Sequence, residues 1–134
     1  IYGLTRLGAE VTVVGPPTLI PEEIESLGVR VGYDLRQALA DADVINVLRI
    51  QLERQQKGLF PSIQEYSRRW GIDREKLAWA KPDVLVLHPG PANLGVEISQ
   101  DVAASSHSWI TRQVRNGVAV RMAVLYLLSG TVAA

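Results

Sequence analysis

The chain has 134 residues, 47% hydrophobic and 21% charged, with 14 basic side chains balanced by 14 acidic ones. That length suits one domain with a real core, since a chain near this size hides roughly two-thirds of its unfolded surface. The neutral, scattered charge offers no electrostatic footprint for nucleic acid or an anionic membrane. Zero cysteines exclude a disulfide framework, a thiolate metal site and a cysteine nucleophile, and two histidines, His88 and His107, make a structural zinc centre improbable. No apolar run approaches the roughly 20 residues of a membrane span, and residues 118–128 are interrupted by Arg121. With no signal peptide in view, a soluble, cytoplasmic α/β protein is the expectation.

Residues 1–8 read as the tail of a helix already under way. Ile1, Leu4 and Leu7 have helical spacing, and Gly8 suits the position just past a helix end. Residues 11–14 are a short β-branched run closed by Gly15-Pro16-Pro17, which predicts a buried strand entering a loop. A helix is predicted over 21–27, with Pro21 in its first turn, Glu22 and Glu23 near the positive end of its dipole, and Gly28 ending it. Residues 29–31 form a second strand. Asp34 is placed to cap a helix over 35–40, and 44–48 form a third strand, from whose carboxyl end residues 49–54 depart.

A loop over 55–61, anchored by Phe60, leads to a helix over 62–70 that Gly71 stops. Asp73 is placed to cap another helix over 74–80. Residues 84–87 are an all-apolar fourth strand, followed at once by His88-Pro89-Gly90-Pro91. Helices are predicted over 108–114 and 118–128, separated by Asn116-Gly117. Strands of continuous apolar character alternating with helices imply an open, parallel, Rossmann-like α/β sheet with helices on both faces. In such sheets ligands sit outside the carboxyl ends of the strands. Two polar or turn-rich segments fall there, 49–54 and 88–97.

Arg49 and Gln51 are two residues apart, so in an extended chain they project to one side. A guanidinium fork plus a neutral amide makes a receptor for one carboxylate, and Glu53, on the same side, is placed to hold Arg49 in its working rotamer. The competing reading is a solvated, charged loop after a strand. In the second segment two prolines flanking a glycine fix an unusual backbone path, with a cis bond before Pro91. Such a turn holds backbone carbonyls at set positions for an ammonium or amide, or is simply a rigid loop. His88 has acid/base chemistry available but reads more naturally as a strand-end residue hydrogen-bonded into place. Arg121, inside an apolar helix, demands a partner if buried, with Glu97 or another acid as its anchor. Trp70, Trp79 and Trp109 read as packing residues, and Arg68-Arg69 as an exposed helix face.

Taken together, these segments resemble the aspartate carbamoyltransferase family over nearly the whole chain, from Gly3-Leu4-Thr5-Arg6-Leu7-Gly8-Ala9-Glu10 to Gly130. The specific pieces are Leu48-Arg49-Ile50-Gln51-Leu52-Glu53-Arg54, then His88-Pro89-Gly90-Pro91 with Gly95-Val96-Glu97-Ile98, then Asn116-Gly117-Val118-Ala119-Val120-Arg121-Met122-Ala123. The resemblance implies that residues 1–134 are part of an L-aspartate-binding domain, its sheet incomplete at the N-terminus. The implied reaction joins carbamoyl phosphate and L-aspartate into N-carbamoyl-L-aspartate and phosphate, in de novo pyrimidine biosynthesis. Arg49 and Gln51 match residues that bind a substrate carboxylate, chiefly that of the aspartate side chain. Pro89 and Gly90 match a turn whose backbone oxygens contact the substrates, Pro91 the residue after a cis bond, and Arg121 a position that supports the site indirectly, as Glu53 and Glu97 are expected to do.

The same resemblance implies no metal or organic cofactor, and a homotrimer for the full-length enzyme. It also implies a missing carbamoyl phosphate domain, with its phosphate loop and carbonyl-polarising histidine, and a second aspartate-binding arginine upstream of Ile1. No catalytic residue is therefore expected here, His88 is not that histidine, and the chain alone is expected to be inactive. Leu94 departs from the family pattern, where Arg commonly follows the loop Asn, which bears on Asn93 and Glu97. Ornithine carbamoyltransferases, a related family, typically place Cys in the histidine-proline turn, and this chain has none. The alternative outside enzymes is a non-catalytic carbamoyltransferase-like module for amino-acid binding or assembly.

Overall fold

The computed structural model describes residues 1–51 and 61–130. Helix α1 (Tyr2–Arg6) opens the chain. Gly8, at φ 80°, closes it by donating its N–H to the Thr5 carbonyl while Ala9 donates to Leu4, each at 3.0 Å. The left-handed turn needs glycine, and the paired bonds satisfy carbonyls that the helix end would otherwise strand.

Strands β1 (Thr12–Val14) and β2 (Arg30–Gly32) pair in parallel, Val13 opposite Val31. Strands β3 (Val44–Asn46) and β4 (Leu85–Leu87) form a second parallel pair, Ile45 opposite Val86. A single bridge to Ser108 continues the pairing on β4's far side, with Val86 N–H donating to His107 and Trp109 N–H to Val86, both at 2.8 Å. Helix α2 (Leu35–Ala40) packs on β1, and the long C-terminal helix α6 (Ile110–Leu128) on β4. The crossovers between parallel strands make this the open Rossmann-like α/β architecture that the alternation of segments predicts. Its core gathers Leu39, Ile45, Val47, Ile72, Leu77, Val84, Val86, Ile98 and Val102.

The two predicted caps, Asp34 and Asp73, are made, and Ser62, read as the first residue of its helix, is a third. Asp34 accepts from Gln37 N–H at 3.1 Å for α2, Ser62 from Glu65 N–H at 3.0 Å for α3 (Ile63–Trp70), and Asp73 from Lys76 N–H at 2.8 Å for α4 (Arg74–Leu77). Gly71 does follow α3, in extended backbone (φ −65°, ψ 137°). Glycine is required there by crowding: a Cβ would stand 2.7 Å from the Ser67 carbonyl and meet the Val96 carbonyl as well.

Several predicted elements differ. Residues 21–27 form no α-helix: i→i+3 bonds close two short turns, ending in a 3-10 helix over Ile24–Leu27 that Gly28 terminates at φ 79°. No side chain caps that segment's first turn, and seven residues recover little of the cost of nucleating an α-helix. Strand β3 is shorter than 44–48, although Val47 N–H still donates to the Leu87 carbonyl at 2.9 Å. It also alternates, burying Ile45 and Val47 while Val44 and Leu48 stay 48% and 63% exposed. A short 3-10 helix at Pro17–Leu19 and helix α5 (Gln100–Ala103) were not foreseen. Asn116-Gly117 breaks nothing, and α6 runs unbroken for 19 residues. One interior glycine costs about 1 kcal/mol against alanine, too little to interrupt a helix already propagating on both sides. The expected loop over 55–61 lies outside the described residues except for Pro61, which is exposed. Among the described residues no helix is long and apolar enough to cross a membrane.

Candidate functional site

Because β3 and β4 are parallel neighbours, their carboxyl ends lie side by side and the two polar segments emerge together. After β3 the chain stays in open backbone through Gln51: Ile50 is buried, Arg49 is partly buried and Gln51 is exposed. Ile45 and Val47 are buried two residues apart but the next buried side chain is Ile50, so the two-residue period of the strand shifts after Leu48, and the Arg49 Nε is itself buried. Glu53 lies outside the described residues.

After β4 comes the turn. The Gly90–Pro91 bond is cis and Gly90 sits at φ 65°, a conformation that L side chains resist. Pro89, Gly90 and Pro91 are all exposed, and among the described residues no donor reaches the Pro89 or Gly90 carbonyl. His88, by contrast, is fully buried. Its backbone N–H donates to Gln113 Oε1 of α6 at 2.9 Å, and its ring Nδ1 accepts from Gly90 N–H at 2.9 Å. An Nδ1 occupied as acceptor places the ring proton on Nε2, which faces Glu97 Oε1 at 3.3 Å. His88 thus holds the turn in shape.

Glu97 is 1% exposed. Its Oε1 accepts from Asn93 N–H at 2.6 Å as well as from His88, while its backbone carbonyl accepts from Ile72 N–H at 2.9 Å. Asn93 then reaches across to the first segment, its Nδ2 donating to the Ile50 carbonyl at 3.0 Å. Burial first, and the Glu97 carboxylate second, push the Tyr66 phenol up to about 12, so Tyr66 keeps its proton at neutral pH. Tyr66 also lines a groove of about 210 Å³ with Pro16, Pro17, Glu65, Arg69 and Trp70.

The structure therefore brings Arg49, Gln51, Pro89, Gly90, Pro91 and Glu97 to one end of the β3–β4 pair. It does not bring Arg121 there as a buried cation: Arg121 is exposed on α6, because the helix beyond residue 113 stands clear of the described core. The partners of Glu97 are a neutral imidazole and a backbone amide instead. Sequence reasoning missed the links made by Asn93 Nδ2 and Gln113, since neither residue carries a local pattern that marks a partner 43 or 25 positions away. Among the described residues no cluster of three or more His, Asp or Glu side chains could hold a metal ion.

A parallel α/β domain with its polar turns at two adjacent strand ends is a small-ligand-binding class of structure. The chain belongs to the aspartate/ornithine carbamoyltransferase family, whose Asp/Orn-binding-domain model matches residues 1–128. It is 61% identical over 130 residues to the aspartate carbamoyltransferase catalytic subunit of Desulforamulus reducens, covering 97% of this chain and 42% of that protein. In three dimensions it is similar to an ornithine carbamoyltransferase from Pyrococcus furiosus (TM-score 0.78, 27% identical, 96% of this chain and 44% of that one). It is also similar to aspartate transcarbamoylase from Trypanosoma cruzi in complex with aspartate and phosphate (TM-score 0.66, 27% identical, 93% and 42%). The chain spans less than half the length of these relatives.

Proposed function

We propose that residues 1–134 act as the L-aspartate-binding part of an aspartate carbamoyltransferase. In that reaction the aspartate amine attacks the carbamoyl carbon of carbamoyl phosphate. A C–N bond forms, the bond from carbon to the phosphate oxygen breaks, the amine loses a proton, and N-carbamoyl-L-aspartate and phosphate leave. The observation that carries the reading is the juxtaposition of Arg49 and Gln51 with the Pro89–Gly90 turn at the ends of paired strands. The Arg49 fork and Gln51 amide take the side-chain carboxylate of aspartate. The Pro89 and Gly90 carbonyls accept N–H groups of the reacting amine or carbamoyl nitrogen. These groups orient substrate and supply no proton transfer, so their contribution is positional. Carbamoyl phosphate is held by a separate carbamoyl-phosphate-binding part, and the complete enzyme acts as a cytoplasmic homotrimer.

The test is calorimetric titration of the chain with L-aspartate and with succinate, alone and mixed with the carbamoyl-phosphate-binding part of the Desulforamulus reducens relative and its ligand. Binding in the complemented mixture that weakens about 10- to 100-fold in Arg49→Ala supports the reading, the loss matching a charged hydrogen-bond set worth roughly 1.5–3 kcal/mol. Tight aspartate binding by the chain alone points to the non-catalytic module. No binding by a folded complex removes Arg49 and Gln51 as a working site.

A further inference from the structure

Two loops that meet at a ligand must be held at a set separation, and strand pairing alone does not do it: the β3–β4 ladder ends with Val47 N–H on Leu87. Beyond that bond the described links between the segments run through side chains. Asn93 Nδ2 grips the Ile50 carbonyl, between Arg49 and Gln51, at 3.0 Å. Asn93 is itself placed by its own N–H on Glu97 Oε1 at 2.6 Å, and the same oxygen faces His88 Nε2 at 3.3 Å. His88 in turn receives Gly90 N–H at 2.9 Å, inside the turn. A single carboxylate oxygen thus joins the residues that flank both halves of the site.

The chemistry of that carboxylate is costly for a merely structural filler. Glu97 is 1% exposed, its facing histidine is neutral by geometry, and no described residue donates to its second oxygen. Burying a carboxylate without a counter-charge is unfavourable, and an apolar side chain of similar volume would fill the space at less cost. What an apolar side chain could not do is accept two donors at one point and fix both directions, with the added strength of a charged acceptor.

We infer that Glu97, with Asn93 and His88, is a positioning relay that sets the distance between the Arg49–Gln51 segment and the Pro89–Gly90 turn. None of the three need touch substrate. This inference deepens the proposed amino-acid site and rests on it for its effect on affinity, but its geometric part stands separately.

The experiment therefore has two arms on the same variants, Asn93→Ala, Glu97→Leu and Glu97→Gln. In the first, amide spectra of the labelled chain report on residues 49–51, more than 40 positions from the substitutions. Asn93→Ala and Glu97→Leu shift the Arg49, Ile50 and Gln51 amides, while Glu97→Gln, which keeps an acceptor oxygen for Asn93 N–H, stays near the parent. In the second, succinate titration of the complemented mixture shows affinity falling about 10-fold in Asn93→Ala and Glu97→Leu, the ~1.4 kcal/mol of one hydrogen bond lost. Glu97→Gln stays within a few-fold. Unmoved 49–51 amides in folded Asn93→Ala overturn the relay. Moved amides with parent affinity refute its role in the site. Moved amides with a parent that binds nothing uphold the relay and sink the site reading instead. If Glu97→Leu does not fold, Asn93→Ala, only partly buried, decides alone.

Discussion

Lys76 is 6% exposed, and its ammonium donates to the Gly71 carbonyl at 2.7 Å, to Ser67 at 3.3 Å and to Asp73 Oδ2 at 3.0 Å. Two of those acceptors belong to the last turn of α3 and the residue after it, where the dipole is negative; the Ser67 carbonyl already accepts Gly71 N–H at 3.0 Å and takes Lys76 as a second donor. The lysine of one helix thus caps the preceding one. Lys76→Met should cost about 2–3 kcal/mol, because Gly71 is buried and loses a charged donor, while the half-exposed Asp73 is simply rehydrated. The check is a urea midpoint that falls with unchanged slope. A change below about 0.5 kcal/mol would mean that desolvating the ammonium already cancels its bonds. Nothing in the local pattern Arg74-Glu75-Lys76-Leu77 marks Lys76 as buried; its bonds to the Ser67 and Gly71 carbonyls at the end of α3 do.

Elements whose ends carry their own chemistry were legible. Asp34 and Asp73, as read from the sequence, and Ser62, taken there for the first helical residue, each cap the helix that follows because a short polar side chain reaches the N–H three residues on, a contact decided within four residues. Elements whose extent depends on cooperativity were not. Asn116-Gly117 carries the composition of a break, yet it sits inside α6, where a Cβ on Gly117 would meet only the Arg121 guanidinium at an ordinary 3.5 Å. Gly117→Ala should accordingly raise stability by roughly 0.5–1 kcal/mol, through lost freedom in the unfolded chain and better helix propensity. Thermal melts followed by circular dichroism decide it. A drop in melting temperature would mean that the glycine serves close packing instead.

At the scale of the molecule, α6 is the anomaly. Val114, Val118, Met122 and Leu125 form one stripe, exposed by 49%, 54%, 66% and 69%, and Val120, Val124 and Leu127 widen the apolar surface over the helix's second half, which Arg121 alone interrupts. A contiguous exposed apolar patch of this kind drives association. The 134-residue chain is expected to self-associate in a concentration-dependent way, and Val118→Lys with Leu125→Lys should shift it toward monomer. Sedimentation velocity over a tenfold concentration range measures this. A parent that stays monomeric throughout would contradict the expectation.

Reading the sequence by itself settled the parallel α/β class, the Asp34 and Asp73 caps, the glycine after α1 and the two strand-end segments, because each depends on periodicity or on bonds a few residues long. It also put Arg49, Gln51, Pro89 and Gly90 at the carboxyl ends of strands, on one edge of a parallel sheet, while the pairing of β3 with β4 that makes those ends neighbours came from the structure. Only the tertiary structure decided that Arg121 is exposed, that Glu97 is buried against His88 and Asn93, and that Asn93 ties the turn to Ile50 across 43 residues. Those facts turn on which side chains meet after folding. Burial and long-range hydrogen bonding are properties of the packed whole, to which a local pattern contributes donors and acceptors but not their partners.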